Sequence, residues 1–90
     1  MAEVVWTGGA LAELDAIRAY IGQFNVSASE RMAKRLIAAA EALTLFPERG
    51  RSISRNRREL TVVPPYLIRY RIYGDRVIIL EVRHGARRPN

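Results

Sequence analysis

Hydrophobic residues near the start of the chain recur with the spacing of an α-helix. A short β-type run at residues 4–6 ends at Thr7-Gly8-Gly9, and Thr7 is placed to cap a following helix. Charged side chains occupy the other faces of that helix. The spacing therefore predicts a helix with one apolar face, formed by Ala10, Leu14, Ile17 and Ile21.

A second helix is predicted from residue 27 to a stop at Pro47. Its start, Ser27-Ala28-Ser29-Glu30, has the sequence of a capping box, in which Ser27 accepts from the amide of residue 30 and Glu30 reaches back. Because only about four residues connect the two helices, an antiparallel hairpin is expected. The apolar positions of the second helix form a regular seam: Met32, Leu36, Ala39, Leu43 and Phe46.

The C-terminal half has the pattern of β-structure. Residues 47–58 show no periodicity, which predicts a basic loop. Pro64-Pro65 bars central strand pairing at that point, and Gly74-Asp75 marks a hairpin turn. Strands are therefore expected at residues 60–63, 66–73 and 77–83.

Two pairing registers are open to the last hairpin. A two-residue turn pairs Arg71 with Ile78, whereas a three-residue loop at 74–76 gives one consistent hydrophobic face. We therefore expect the three-residue loop, with Tyr66 and Tyr70 facing inward and Tyr73 exposed. The expected apolar pairs are Ile72 with Ile78, Tyr70 with Leu80 and Ile68 with Val82. The opposite face then carries Arg69 facing Glu81, together with Arg71 and Arg83.

Composition limits the classes of function. Ninety residues suffice for one hydrophobic core, so a single α+β domain over residues 1–90 is predicted. The chain has no cysteine and a single histidine, His84, so we expect no disulfide, no metal site and no cofactor. The longest apolar stretch is far short of a membrane span, and the N-terminal residues do not show a basic start followed by an apolar signal region, so a cytoplasmic location without membrane contact is expected.

Charge is distributed unevenly between the two halves. Residues 49–90 contain eleven arginines against three acidic residues, a net charge of +8. The planar guanidinium fork pairs with carboxylates and with phosphates. Charge alone therefore leaves an acidic protein and a nucleic acid equally open as partners.

Several short motifs, in their order and spacing, resemble the ParE branch of the RelE/ParE toxin superfamily. They are Val5-Trp6-Thr7, Tyr20-Ile21, Phe46-Pro47-x-x-Gly50-Arg51, Glu59-Leu60, the run from Tyr66 to Ile72, and Val82-Arg83-His84-Gly85-Ala86-Arg87. The resemblance implies a βααβββ fold, in which a helical hairpin packs on one face of a small twisted antiparallel sheet. It also implies a cognate antitoxin with an acidic segment as partner.

The resemblance leaves two classes of function open. ParE-type members inhibit DNA gyrase by binding, whereas RelE-type members cleave mRNA on the ribosome. RelE-like nucleases resemble one another in having an arginine three residues before the position of Tyr70 and an aromatic or His–Tyr pair near the C-terminus. This chain has Leu67 at the first position and no tyrosine after His84. These departures favour a gyrase-binding inhibitor, and a degenerate, non-toxic member that still binds antitoxin is a third alternative.

Candidate site residues follow from these alternatives. A nuclease would use Arg69, Arg71, His84 and Arg87. A gyrase-binding toxin is expected to contact its target through Arg83, His84, Arg87 and Arg88. His84 otherwise has a structural role at the sheet edge. Antitoxin binding is expected to use apolar residues off the helical seam together with sheet arginines, namely Leu11, Phe24, Ile37, Leu45, Arg69 and Arg71.

Overall fold

The computed structural model describes residues 1–85, which form two helices packed on one five-stranded sheet. The helices are α1 (Gly8–Gly22) and α2 (Val26–Glu41), and a 3₁₀ turn at Ala42–Thr44 extends the second. The strands are β1 (Glu3–Trp6), β2 (Arg51–Ser54), β3 (Arg57–Val63), β4 (Tyr66–Tyr73) and β5 (Arg76–His84). The spatial order is β1-β5-β4-β3-β2. The predicted α+β class is confirmed.

The sheet contains one strand more than the pattern predicts, and its pairing is mixed. The segment 47–58, expected to be a loop, contains β2 and the start of β3, which pair antiparallel. All four residues of β2 are exposed, so burial imposes no alternating pattern that a sequence could display. Pairing is antiparallel except between β1 and β5, which run parallel.

The helical hairpin buries the predicted seam but begins differently. Thr7 caps α1 as expected, its Oγ1 accepting a hydrogen bond from Ala10 N at 3.1 Å. The cap of α2 is Asn25 rather than Ser27, because Asn25 Oδ1 accepts from Ala28 N at 2.9 Å and the helix begins one residue later. The expected capping box is therefore wrong. Its glutamate, Glu30, instead accepts hydrogen bonds from Arg18 of α1, which lowers the pKa of the Glu30 carboxyl.

The core lies between the hairpin and one face of the sheet. Leu36 and Ala39 are buried on α2 and Leu43 is buried on the 3₁₀ turn, while Met32 packs at the margin. Phe46 lies beyond the helix and is 63% exposed. From the other layers the core takes Ala10, Leu14, Ile17, Ile68, Tyr70, Val77, Ile79 and Val82, with Ile21 partly buried.

The β4–β5 hairpin uses both of the alternative registers. Next to the Gly74-Asp75 turn it has the two-residue register, with Arg71 opposite Ile78. A bulge then makes Leu80 the extra residue, and beyond it Arg69 faces Glu81 as predicted for the three-residue loop. The inward residues of β5 are therefore Val77, Ile79 and Val82, and the expectation that Ile78 and Leu80 face the core is wrong.

A buried tyrosine fixes the segment that leads from the 3₁₀ turn into β2. The Tyr70 hydroxyl donates to Pro47 O at 2.7 Å and accepts from Gly50 N at 2.8 Å. A Cβ at Gly50 would lie 2.7 Å from that hydroxyl, so glycine is needed for the close approach. Arg58 Nη1 donates to Gly50 O at 2.7 Å. Burial raises the pKa of Tyr70, since the ionised phenolate would lose its hydration.

Candidate partner-binding surfaces

Four charged side chains form a row across the face of the sheet that points away from the helices. The backbone register places Arg51 opposite Glu59, Glu59 opposite Arg69, and Arg69 opposite Glu81. Each residue belongs to a different strand, from β2 to β5, and the signs alternate. Cross-strand pairs of opposite charge stabilise a sheet, so this row joins its four antiparallel strands. We call these four residues the charged row.

The centre of the charged row is shielded from water. The Glu59 side chain is only 2% exposed, and its two oxygens accept from Arg51 Nη2 at 3.2 Å and from Arg69 Nε at 3.1 Å. Arg69 also lies 3.6 Å from a Glu81 oxygen, while Arg83 donates to the other Glu81 oxygen at 2.8 Å. A carboxylate buried to this degree requires its cationic partners, because an unpaired buried charge is strongly destabilising.

This arrangement separates the residues proposed for catalysis. Arg69 is held between two carboxylates. Arg71 belongs to the next row, where it faces Arg57 and lies 5.8 Å from the centroid of the Tyr73 ring. His84 lies at the far end of β5, opposite Tyr66. Arg87 lies outside the described residues. The three described members therefore do not converge on one point.

His84 borders a cleft between α1 and the ends of β4 and β5. Its ring packs edge-to-face on Tyr66, with ring centroids 5.5 Å apart. The cleft has a volume of about 690 Å³ and is also lined by Tyr20, Glu81 and Arg83. Glu13 of α1 enters it and accepts a hydrogen bond from Val82 N at 2.9 Å. His84 therefore lies at the end of the sheet, in contact with Tyr66.

Leu67 occupies the position at which the nuclease resemblance requires an arginine. It lies on β4 opposite Arg83 and is 3% exposed, although it is not part of the main core. Arg83, proposed as a target contact, is bound to Glu81 and only partly exposed. Arg88, like Arg87, lies outside the residues that the structure describes.

The helical layer exposes the apolar side chains expected for antitoxin binding. Leu11, Phe24, Ile37 and Leu45 are all exposed, and Phe24 is 75% exposed. The antiparallel hairpin places Phe24 at its turn and the other three toward its opposite end. Three further apolar residues of this layer are exposed, although the sequence pattern does not assign them to antitoxin binding: Val26, Phe46, which the pattern places in the buried seam, and Tyr20, whose ring packs edge-on against Phe24. Val26 is the first residue of α2 and Phe46 lies beyond its end, and the periodicity placed both of these boundaries differently.

No helix among residues 1–85 is both long and apolar enough to cross a membrane. Within the same residues, no group of three or more histidine, aspartate or glutamate side chains is arranged to hold a metal ion.

Comparison with known proteins identifies the relationships of the chain. Residues 4–89 match the sequence model of the family described as ParE toxin of type II toxin-antitoxin system, parDE. Toxin RelE2 of Caulobacter vibrioides is 56% identical over 87 residues, which cover 97% of this chain and 99% of that protein. Toxin RelE3 of the same organism is 33% identical over 79 residues, covering 84% and 86% of the two chains.

A solved structure supports the fold independently. A chain of the chromosomal ParDE toxin–antitoxin system from P. aeruginosa superimposes with a TM-score of 0.79, covering 93% of this chain and 96% of that one. The sequence identity is 24%, so the similarity is one of fold.

Proposed function

The chain belongs to the ParE toxin family of type II toxin–antitoxin systems, and from this premise we propose that it inhibits DNA gyrase by binding and that a cognate antitoxin with an acidic segment neutralises it. Its site of action is then the cytoplasm. A cognate antitoxin is the partner that membership of a toxin–antitoxin family implies.

The single observation that carries the choice of a binding inhibitor is the position of Arg69. Cleavage of RNA requires cations at the phosphate and an acid and a base at the reacting oxygens. The guanidinium of Arg69 is already bound to Glu59 and lies 3.6 Å from Glu81. If Arg69 bound a phosphate instead, the buried Glu59 carboxylate would lose one of its cationic partners. Leu67, being apolar, supplies no substitute cation.

The geometry of the hairpin supports an amphipathic helix of the antitoxin as the neutralising element. Leu11 and Phe24 lie thirteen positions apart along α1 and its end. At about 1.5 Å per residue, this separation corresponds to roughly 20 Å, or nearly four helical turns. An antitoxin helix of that length spans the exposed apolar residues at both ends of the hairpin. Among the sheet arginines expected to assist, Arg69 has carboxylate partners within the toxin, while Arg71 does not pair with any carboxylate of residues 1–85.

We propose that Arg87 and Arg88, which lie outside the described residues, make the target contact. The other two expected contacts have partners within the toxin: Arg83 binds Glu81, and His84 packs on Tyr66. The test is a supercoiling assay with purified gyrase, run beside a ribosome-dependent mRNA cleavage assay. We expect inhibition of supercoiling and intact mRNA. Reversing both charges, with Arg87→Glu and Arg88→Glu, should abolish inhibition.

The matched control is Lys34→Glu with Arg35→Glu, which makes the same change in net charge on the exposed face of α2. Both double variants should still bind antitoxin, which shows that they are folded. Equal loss of gyrase inhibition in the two variants would mean that net charge, and not the C-terminal arginines, carries the effect.

A ribosome-dependent ribonuclease is the second candidate. The RelE names of the two Caulobacter relatives and the position of His84 in an open cleft favour it. Under this alternative, mRNA is cut and His84→Ala slows cutting by about 10²–10⁴, the usual loss when a general acid or base is removed. Under our proposal, His84→Ala retains gyrase inhibition. mRNA cleavage that disappears in this variant would overturn the proposal.

A further inference from the structure

One end of the sheet carries arginines for which the described residues provide no carboxylate. Arg57 of β3 and Arg71 of β4 are direct cross-strand partners on the outer face, and both are exposed. Neither takes part in an ion pair with another residue of the range 1–85, whereas the neighbouring charged row alternates in sign. Like charges directly opposite one another destabilise a sheet. This pair therefore does not stabilise the isolated protein, and a ligand would explain it.

Two further residues complete this end of the sheet. Arg55 lies in the turn between β2 and β3, and Asn56 O of that turn accepts from Ile72 N of β4 at 3.0 Å, which fixes the turn beside the end of β4. Tyr73 is 65% exposed, two residues beyond Arg71 on the same face. We call Arg55, Arg57, Arg71 and Tyr73 the basic end. It combines three exposed cations from three segments with an exposed aromatic ring.

We propose that the basic end binds the phosphate backbone of a nucleic acid. Arginine forks bind phosphate oxygens in pairs, and an exposed tyrosine ring offers a stacking surface for a base. Interfaces with nucleic acid are polar and strongly positive, whereas the centre of a protein interface is apolar. The other apolar side chains that are at least 60% exposed, apart from Met1, belong to the helical layer and not to this face: Phe24, Val26, Leu45 and Phe46.

The site differs from the surfaces described above. It lies on the opposite side of the charged row from Leu67, Arg83 and the His84 cleft, because β4 runs from Tyr66 at that cleft to Tyr73 at the basic end. The inference goes beyond the proposed function and does not require gyrase to be the target, since it concerns direct contact between this chain and a polyanion.

The test measures binding of the purified full chain to a fluorescently labelled DNA duplex by anisotropy, over a range of salt from roughly 50 to 200 mM. Each phosphate contact contributes about −0.9 to the slope of log affinity against log salt. The double variant Arg57→Gln with Arg71→Gln should therefore reduce the magnitude of that slope by about 1.8. The matched control, Lys34→Gln with Arg35→Gln, removes the same charge from α2 and should leave the slope nearly unchanged.

Stacking is tested separately with a labelled single strand. Tyr73→Leu should weaken binding to single-stranded DNA by ~5-fold or more, and should affect duplex binding less, because only an unpaired base can stack on the ring. Circular dichroism of every variant should match that of the parent. Equal slopes for the two double variants would mean that net charge alone accounts for DNA binding, and this result would overturn the proposal.

An acidic protein segment is the competing ligand. Polyglutamate, at the same ionic strength and matched charge, provides the comparison. We expect the chain to bind polyglutamate more weakly than it binds DNA. Tighter binding of polyglutamate that is lost in the Arg57→Gln, Arg71→Gln variant would assign the basic end to an acidic peptide and refute the nucleic-acid proposal.

Discussion

Replacing Arg69 with methionine tests whether the charged row stabilises the fold. The change removes the guanidinium but keeps an unbranched side chain, and the carboxylate of Glu59 still has Arg51 as a cationic partner. Breaking a buried ion pair costs about 3–5 kcal/mol. Because Arg51 still lies 3.2 Å from Glu59, although its own side chain is 65% exposed, we expect the lower end, about 3 kcal/mol.

The double variant Glu59→Met with Arg69→Met is the informative partner of that change. The double variant removes the buried charge together with its partner. It should therefore recover about 2 kcal/mol of the free energy of unfolding that Arg69→Met alone loses. Arg71→Met is the matched control, since Arg71 lies on the same strand and face but is exposed and unpaired with a carboxylate among residues 1–85. Arg71→Met should change the free energy of unfolding by no more than about 0.5 kcal/mol.

The free energy of unfolding is measured by urea denaturation followed by circular dichroism. If Arg69→Met is as mild as Arg71→Met, the charged row is not a stabilising network. Arg69 would then be available to a phosphate, and the main argument against a nuclease would fail. If the double variant is less stable than Arg69→Met alone, the carboxylate of Glu59 does not need its partner.

Three further predictions concern the core, the helix cap and the buried tyrosine. Leu36→Ala should lower the free energy of unfolding by about 2–5 kcal/mol, because Leu36 is fully buried, whereas the same change at exposed Ile37 should cost much less. Asn25→Ala should cost about 1 kcal/mol through loss of the α2 cap, and equal costs for Asn25→Ala and Ser27→Ala would contradict the observed cap. The raised pKa of Tyr70 favours the neutral phenol in the fold, so its contribution is complete below the unfolded pKa of about 10 and is lost as pH rises toward the higher folded value. The stability difference between the parent and Tyr70→Phe, measured by denaturation at several pH values, should therefore shrink above pH ~10, and a constant difference would refute this.

The helical half could be read from the sequence because burial imposes a period on it. Leu36, Ala39 and Leu43 are spaced as one face of a helix, and all three are buried. The start of α2 was misplaced because Asn25 and Ser27 are both good capping residues, two positions apart. Local sequence does not decide between them. The hydrogen bonds from Arg18 to Glu30 and from Arg31 to Ser27 do decide between these two residues. The first depends on the packed hairpin, and the second depends on the helical turn itself.

The sheet was less predictable because its pairing depends on distant residues. A hydrophobic face was correctly assigned to Ile68, Tyr70 and Val82, but the bulge at Leu80 reverses the inward positions on the first part of β5. The alternation of apolar and polar residues along β5 does not reveal that one extra residue is inserted at the bulge. The pairing of Arg69 with Glu81 was predicted, whereas the involvement of Glu59 required knowledge of how β3 pairs with β4.

The same reasoning explains the outcome for the candidate sites. Exposure of Leu11, Ile37 and Leu45 followed from their positions off the helical seam. The cross-strand pairing of Arg57 with Arg71 could not be predicted in this way, since residues 47–58 were expected to form a loop without partners.

The order of strands has a consequence for synthesis on the ribosome. β5, the last of the described strands, lies between β4 and β1, and it pairs with β1 across a separation of 73 residues, from Glu3 to Arg76. The first strand therefore has no neighbour in the sheet until the β5 segment has been synthesised and has left the exit tunnel. Pairing over such a distance is slow compared with local helix formation. A prematurely terminated chain that lacks β5 would leave β1 without its partner and the central sheet incomplete, so interrupted translation would yield a polypeptide unable to adopt the toxin fold.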